Sequence, residues 1–82
     1  MEFAQAFATT LRVLRMERDL TQERLAERAG LHLNSVGLLE RGLREPSLYT
    51  VFQLATGLDM TPAEFVQAVS ERRPSIKSRS GQ

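Results

Sequence analysis

The sequence contains no cysteine and no long apolar run. Without cysteine the chain forms no disulfide and has no thiolate ligand for zinc, so its stability must come from packing, with an oligomer interface as a further contribution. The absence also fits a reducing compartment. No apolar run approaches the length of a signal-peptide core or a membrane span, and Met1 is followed by the acidic Glu2. We therefore expect a cytoplasmic protein with no membrane partner.

Signatures of catalysis and of metal binding are also missing. His32 is the single histidine, and the sequence has no HExxH or CxxC spacing, which leaves no metal-site signature. The five glycines are scattered singly and lack the strand-loop-helix setting of a phosphate-binding loop. A chain of 82 residues offers little room for a substrate pocket. We therefore expect neither an enzyme nor a cofactor, metal or small-molecule ligand.

Charge is unevenly distributed, although the net value is only +1. Residues 72–82 carry four basic residues and no acidic one, which gives +4; residues 1–71 carry seven basic and ten acidic residues, which gives −3. A DNA-binding domain usually has a basic surface. Here the domain is slightly acidic and the tail is basic, so charge alone argues neither for nor strongly against binding of nucleic acid.

Size and composition predict one folded domain. Hydrophobic residues make up 41% and charged residues 26% of the sequence, as in soluble globular proteins, and 82 residues leave room for one core. From Pro74 onward the composition shifts to Ser, Arg, Lys, Gly and Gln. We therefore predict a folded domain at residues 1–71 and a basic, disordered tail at residues 72–82.

The apolar spacing predicts helices throughout the domain. Apolar residues recur at spacings of four, four and three from Phe3 to Leu14, which indicates a first helix at about residues 2–18. No segment alternates in the manner of a strand, and no Asn-Gly or Asp-Gly turn occurs, so the expected fold class is all-α. Start and stop signals delimit four further helices. These are expected at about residues 22–29, from His32 or Leu33 to Gly42, from Pro46-Ser47 to Gly57, and from Pro62 onward.

The second and third helices, joined by a tight turn at Gly30, have the pattern of a helix-turn-helix, whose second helix enters the major groove of DNA. Three segments resemble the Cro/C1-type (Xre) helix-turn-helix family: TQERLAERAGL at residues 21–31, SVGLLERG at residues 35–42 and Pro46-Ser47-Leu48. The resemblance covers about residues 11–65. It implies a compact five-helix bundle of the lambda-repressor-like DNA-binding type, similar to restriction-modification controller proteins and phage repressor DNA-binding domains.

The resemblance implies phosphate contacts at both ends of the helix-turn-helix. Thr21 and Gln22 begin the second helix, where free backbone N–H groups and the helix dipole favour an anion, and the family commonly holds a phosphate with the glutamine. Arg41 and Arg44 follow the third helix, where the family's loop approaches DNA. The alternatives are a plain N-cap turn for the first pair and a surface pairing of the arginines with Glu45.

The outward face of the third helix is the expected base-contacting surface, because Val36 and Leu39 point inward. Asn34 is the preferred base contact, since a carboxamide pairs bidentately with adenine. An exposed leucine on this face either packs on a thymine methyl group or binds a protein partner, and a histidine either donates to a phosphate or is solvated. The residues expected at this face are His32, Leu33, Asn34, Ser35 and Leu38.

Arg15 and Glu40 match a pair that forms an internal salt bridge in several relatives. We expect this pair to tie the first helix to the end of the third, the alternative being two separate surface charges. In the same family, acidic residues at the positions of Glu23 and Glu27 resemble the patch by which some phage repressors contact RNA polymerase. The alternative is a solvated helix face on which these carboxylates pair with Arg24 and Arg28.

A homodimer is expected, because one recognition helix contacts too few base pairs for useful specificity. The fifth helix is the predicted interface, since Phe65, Val66 and Val69 give it more apolar surface than a four-helix core is expected to absorb. Double-stranded DNA and a second copy of the chain are thus the expected partners.

These features predict a sequence-specific DNA-binding transcriptional regulator that acts as a homodimer on an operator of two half-sites. Within this class lie restriction-modification controllers and phage-type repressors or activators. The rival hypothesis is a protein-interaction module or antitoxin that keeps the fold and docks a partner through exposed Leu33 and Leu38. Residues 21–45 carry four arginines and four glutamates, and this zero net charge favours the rival.

Overall fold

Five helices account for the regular structure of the computed structural model, which describes residues 2–72. The all-α fold class is confirmed. The last helix includes Arg72, the first residue of the predicted tail, and the rest of that tail lies outside the described residues. The helices are α1 (Glu2–Glu17), α2 (Gln22–Ala29), α3 (Leu33–Glu40), α4 (Leu48–Gly57) and α5 (Pro62–Arg72).

Local hydrogen bonds fix both ends of α2. Thr21 Oγ1 accepts a hydrogen bond of 3.0 Å from the backbone N–H of Arg24, as an N-cap does. After the helix, Gly30 adopts φ 72°, a conformation that carries no penalty for glycine. The next residue, Leu31, donates its N–H to the carbonyl of Ala26 at 2.9 Å, which satisfies a terminal carbonyl. The chain therefore turns sharply enough to bring α3 across α2.

The starts of α4 and α5 are capped in the same way. Ser47 Oγ accepts from the N–H of Thr50 at 3.1 Å. Thr61 and Glu64 form a reciprocal pair: the Thr61 N–H donates to Glu64 Oε1 at 2.9 Å, and the Glu64 N–H donates to Thr61 Oγ1 at 3.1 Å. Such a capping box satisfies two free backbone donors at once. Both helix starts lie where the sequence signals predict them.

A single hydrophobic core joins the five helices, with α2 packed on α3 and α4 and with α1 packed on α3 and α5. Gly57 lies so close to α2 that a Cβ atom there would be 2.9 Å from Leu25 Cδ1 and 3.1 Å from Ala29 Cβ. Such distances leave no room for a side chain. The end of α4 therefore sets the position of α2, and through it the position of the helix-turn-helix.

Burial of Phe65 corrects part of the predicted dimer interface. Phe65 is 0% exposed and packs its ring against that of Phe7, with ring centroids 5.7 Å apart and tilted by 59°. Val69 is 7% exposed. The prediction was wrong for Phe65, because Phe7 of α1 covers its ring, whereas Val69 lies at the floor of a groove bordered by Val66. Of the three predicted contacts, Val66 reaches the surface, with 50% of its area exposed.

Candidate nucleic-acid interface

The two sides of α3 have different environments. Val36 and Leu39 are 0% and 1% exposed and belong to the core. On the other side Asn34 is exposed and Leu33 is 48% exposed. Leu38 was expected on the outward face and is half-buried.

The start of α3 leaves polar groups free. His32 is the N-cap residue, is exposed, and makes no side-chain hydrogen bond to the helix it precedes. Ser35 is half-buried and lines a cleft together with Arg44, Pro46 and Thr50. The first turn of α3 thus presents an imidazole and the carboxamide of Asn34 on the surface, next to this cleft.

The end of α3 is anchored by a buried carboxylate. Glu40 is 2% exposed and accepts two hydrogen bonds from Arg15 of α1: Nε donates to Oε2 at 2.6 Å, and Nη2 donates to Oε1 at 3.0 Å. Arg12 Nη1 also donates to the backbone carbonyl of Glu40, at 3.1 Å. The two residues that the sequence analysis paired therefore lie together as a bidentate ion pair, the geometry that fixes a carboxylate best.

Gln22, at the start of α2, belongs to the same network. Its side-chain Nε2 donates to Glu40 Oε1 at 3.0 Å. Sequence reasoning missed this bond, because the two residues are 18 positions apart and meet only through the crossing of α2 and α3. An amide nitrogen carries two hydrogens, so the contact with Glu40 leaves Gln22 one further N–H to donate.

Two arginines lie where the chain leaves α3. Arg41 is the C-cap residue, and its Nε donates to the carbonyl of Gly37 at 3.2 Å. Arg44 is exposed at the rim of the cleft that contains Ser35. Among residues 2–72 neither guanidinium forms an ion pair, with Glu45 or with another carboxylate. Their remaining N–H groups are therefore available to an anion such as a phosphate.

The acidic residues of α2 differ in their contacts. Glu23 and Glu27 are both exposed, and Arg24 Nη1 donates to Glu27 Oε1 at 2.7 Å. The alternative pairing with Arg28 is wrong, because Arg28 Nε donates instead to the carbonyl of Gly57 at 2.8 Å. Arg28 therefore caps the end of α4 and leaves Glu23 to solvent.

The described part of the chain contains no cluster of three His, Cys, Asp or Glu side chains that could hold a metal ion. In residues 2–72, no helix combines the length and the apolar character needed to cross a bilayer.

A helix-turn-helix family model, HTH_3, matches residues 11–65, more than half of the sequence. The chain belongs to this family. The resemblance inferred from the Thr-Gln start, the turn glycine and the Glu-Arg-Gly stop is thereby confirmed, together with the helix-turn-helix fold. Within the HTH_3 match lie α2 and α3, the outer face of α3 and the Glu40 network.

Known regulators and controller proteins are similar to this HTH_3 chain. It is 33% identical over 73 residues to the HTH-type transcriptional regulator SutR of Escherichia coli K12, an alignment that covers 89% of the chain but only 41% of SutR. The restriction-modification controller protein C.AhdI from Aeromonas hydrophila is 44% identical, with a TM-score of 0.72 over 76% of this chain and 94% of that one.

A second solved structure has the same fold and is bound to DNA. The restriction-modification controller protein C.Esp1396I was solved as a tetramer in complex with its natural 35 base-pair operator. It matches with a TM-score of 0.81 over 88% of this chain and 95% of that one. At 19% sequence identity, this likeness is one of fold.

Proposed function

We propose that this chain is a sequence-specific regulator of transcription that binds double-stranded DNA as a homodimer, on an operator of two related half-sites. The observation that carries the proposal is the two-sidedness of α3. Its inner residues are locked into the core, whereas Leu33 and Asn34 face solvent on a helix whose far end is fixed by Glu40. A rigid helix with a free outer face is what insertion into a major groove requires.

Polar groups near the end of α3 that are free to donate to phosphates support the same proposal. Gln22 lies at the start of α2, beside the last residue of α3, with one amide hydrogen left to donate, and Arg41 and Arg44 follow that end of α3 without a carboxylate partner in the described chain. Contacts of this kind hold a protein in register on the duplex, whereas contacts to base edges select the sequence. Gln22, Arg41 and Arg44 would therefore position α3, and Asn34 would contact the bases.

The interface of the proposed dimer is an apolar groove between α1, α4 and α5. Its exposed rim contains Phe3, Leu48 and Val66, which are 42%, 71% and 50% exposed, and Val51 and Val69 lie deeper. Apolar surface of this kind is stabilised when a second surface covers it. We propose that the same groove of a second copy packs on it, because a self-complementary patch generates a closed two-fold dimer.

A two-fold dimer would fit a DNA site that has two related halves. Two recognition helices related by a two-fold axis reach successive major grooves when they are about 34 Å apart, so the bound site has two related halves. The fold is compatible with such assembly, since C.Esp1396I, which shares it, was solved as a tetramer on an operator. C.AhdI, at 44% identity, is a controller protein, and we propose the same class of regulation for this chain.

Selection of bound duplexes from a random pool tests this function. We expect enrichment of a motif with two inverted half-sites, with centres one helical turn or a multiple of it apart. Operator affinity should fall steeply as the salt concentration rises, because phosphate contacts release counterions. Enrichment of no sequence would overturn the proposal.

Exposure of Leu33 favours a second candidate, a protein-interaction module or antitoxin of the same fold. Leu33 is 48% exposed on the face that would otherwise contact DNA, and residues 21–45 have no net charge. The half-burial of Leu38 reduces the apolar area on which this candidate depends. Leu33→Ser separates the two functions: it should abolish binding of a protein partner, whereas on DNA it should alter base preference within the half-site.

A further inference from the structure

Gly37 lies in the middle of α3, where a side chain would have free space. A Cβ atom built on Gly37 meets nothing within 4 Å among the described residues. The contrast with Gly57 is direct, because a Cβ there would lie 2.9 Å from Leu25 Cδ1. Packing within the chain therefore requires a glycine in α4 and does not require one in α3.

The backbone of Gly37 gives no other reason for a glycine. Gly30 and Gly42 have a φ of 72°, which favours glycine, whereas Gly37 is an ordinary residue of an α-helix. Glycine inside a helix lowers stability relative to alanine, since it loses more conformational freedom on folding. The chain thus carries an unfavourable residue that neither its conformation nor its packing demands.

Gly37 is half-buried, but the direction that a side chain there would take is open, because no described atom outside its own helix lies within 4 Å of an added Cβ. Residues 33, 37 and 41 follow one another at intervals of four along the helix, so Gly37 lies between exposed Leu33 and Arg41 on one face. Arg41 Nε donates to the carbonyl of Gly37 at 3.2 Å, which holds the guanidinium along this face. The backbone at Gly37 is thus flanked by the apolar side chain of Leu33 and the guanidinium of Arg41.

We infer that Gly37 is a close-approach residue, at which the backbone of α3 contacts the DNA directly and sets how deeply the helix enters the major groove. The inference rests on the proposed function and adds a specificity-determining position to it. A methyl group at position 37 would hold α3 away from the base edges and lengthen the contacts made by Asn34. Hydrogen bonds from a side chain to the base edges weaken steeply when the donor–acceptor distance increases in this way.

Gly37→Ala tests the inference through two measurements that should move in opposite directions. The melting temperature should rise by about 2–8 °C, because alanine is the better helix residue and its methyl group has space. Affinity for the duplex that the native chain enriches should fall by about tenfold, and affinity for a scrambled duplex by less. Damage to the fold cannot produce this combination.

Ala68→Gly is the matched control. Ala68 lies in the middle of α5, a helix that packs on α1 and α4, and it does not line the proposed dimer groove; the reverse substitution should lower the melting temperature while leaving operator affinity unchanged. If Gly37→Ala stabilises the chain and binds the operator as tightly as the native protein, the inference is overturned and the proposed function stands. If it destabilises the chain, glycine is a requirement of the fold and the inference is equally overturned. If the native chain enriches no duplex, the proposed function fails, and the inference fails with it.

Discussion

Gln22 and Arg15 donate to the same oxygen of Glu40. Gln22 Nε2 and Arg15 Nη2 each lie 3.0 Å from Oε1, while Arg15 Nε lies 2.6 Å from Oε2. One buried carboxylate thereby joins α1, the first residue of α2 and the last residue of α3. The start of α2 and the end of α3 are the two places where phosphate contacts are proposed, so their spacing depends on this side chain.

Replacing Glu40 with Gln should destabilise the fold. The amide keeps the size of the side chain but leaves the Arg15 guanidinium, 14% exposed, without its counter-charge. Removal of one partner from a buried pair costs about 3–5 kcal/mol of unfolding free energy, measurable by urea denaturation. Glu27→Gln is the control, because the Arg24–Glu27 pair is exposed and should contribute less than about 1 kcal/mol. Equal losses in the two variants would contradict a structural role for Glu40.

Replacing Asn34 with Ala should reduce sequence discrimination. An exposed asparagine contributes little to packing, so the helical spectrum and the unfolding midpoint should be retained. Loss of a bidentate base contact costs about 1–3 kcal/mol per half-site, so operator affinity should fall far more than affinity for scrambled DNA. If this variant keeps its preference while Leu33→Ala or His32→Ala loses it, α3 contacts the bases through a different residue.

Replacing Arg44 with Ala should weaken binding to all duplexes alike. The slope of log affinity against log salt concentration should become shallower by about 0.9 for each phosphate that the variant no longer binds. Operator preference should persist, because phosphates carry no sequence information. Asn34→Ala serves as the control, since a neutral side chain should leave the slope unchanged. An unaltered slope for Arg44→Ala would show that this arginine does not contact a phosphate.

Replacing Val66 with Glu should weaken self-association. Val66 is exposed at the rim of the apolar groove, and a carboxylate there would have to be buried without a partner in the dimer. We expect the dimer dissociation constant to rise by about tenfold or more in sedimentation equilibrium, with the helical content retained. Gln67→Glu adds the same charge one position along α5, outside the groove, and should have little effect. The same dissociation constant for both variants would assign the dimer contact to another surface.

Replacing Glu23 and Glu27 together with Gln tests the hypothesis of a contact with RNA polymerase. Both residues are exposed on α2, so the fold and operator affinity should change little. If the acidic face contacts polymerase, transcription from a promoter saturated with the regulator should fall several-fold. Unchanged transcription at equal occupancy would show that this face is solvated and has no role in activation.

Helix ends were predictable because their signals are local. Thr21, Gly30 and Ser47 act on backbone groups within a few residues, so their capping bonds could be inferred from sequence alone. The placement of Phe65 could not be inferred in this way. Apolar spacing identifies a buried face, but it does not distinguish burial against α1 from burial against a second copy.

Other features of the candidate interface also depend on how the helices cross. The bond from Gln22 to Glu40 and the groove beside Val66 arise from tertiary packing, and no spacing in the sequence indicates them. The pairing of Arg15 with Glu40 followed from family resemblance rather than from residue chemistry. Composition and periodicity therefore predicted the helices, and resemblance supplied their arrangement.

The close approach at Gly57 has a consequence for how binding preference can evolve. The contacts that orient the helix-turn-helix, namely Gly57 against Leu25 and Glu40 against Arg15, use side chains that point away from the outer surface of α3. Substitutions at Leu33 or Asn34 leave these contacts intact. If α3 contacts DNA as proposed, changes at a few surface positions would alter the preferred operator, while the frame that presents those positions would be inherited unaltered.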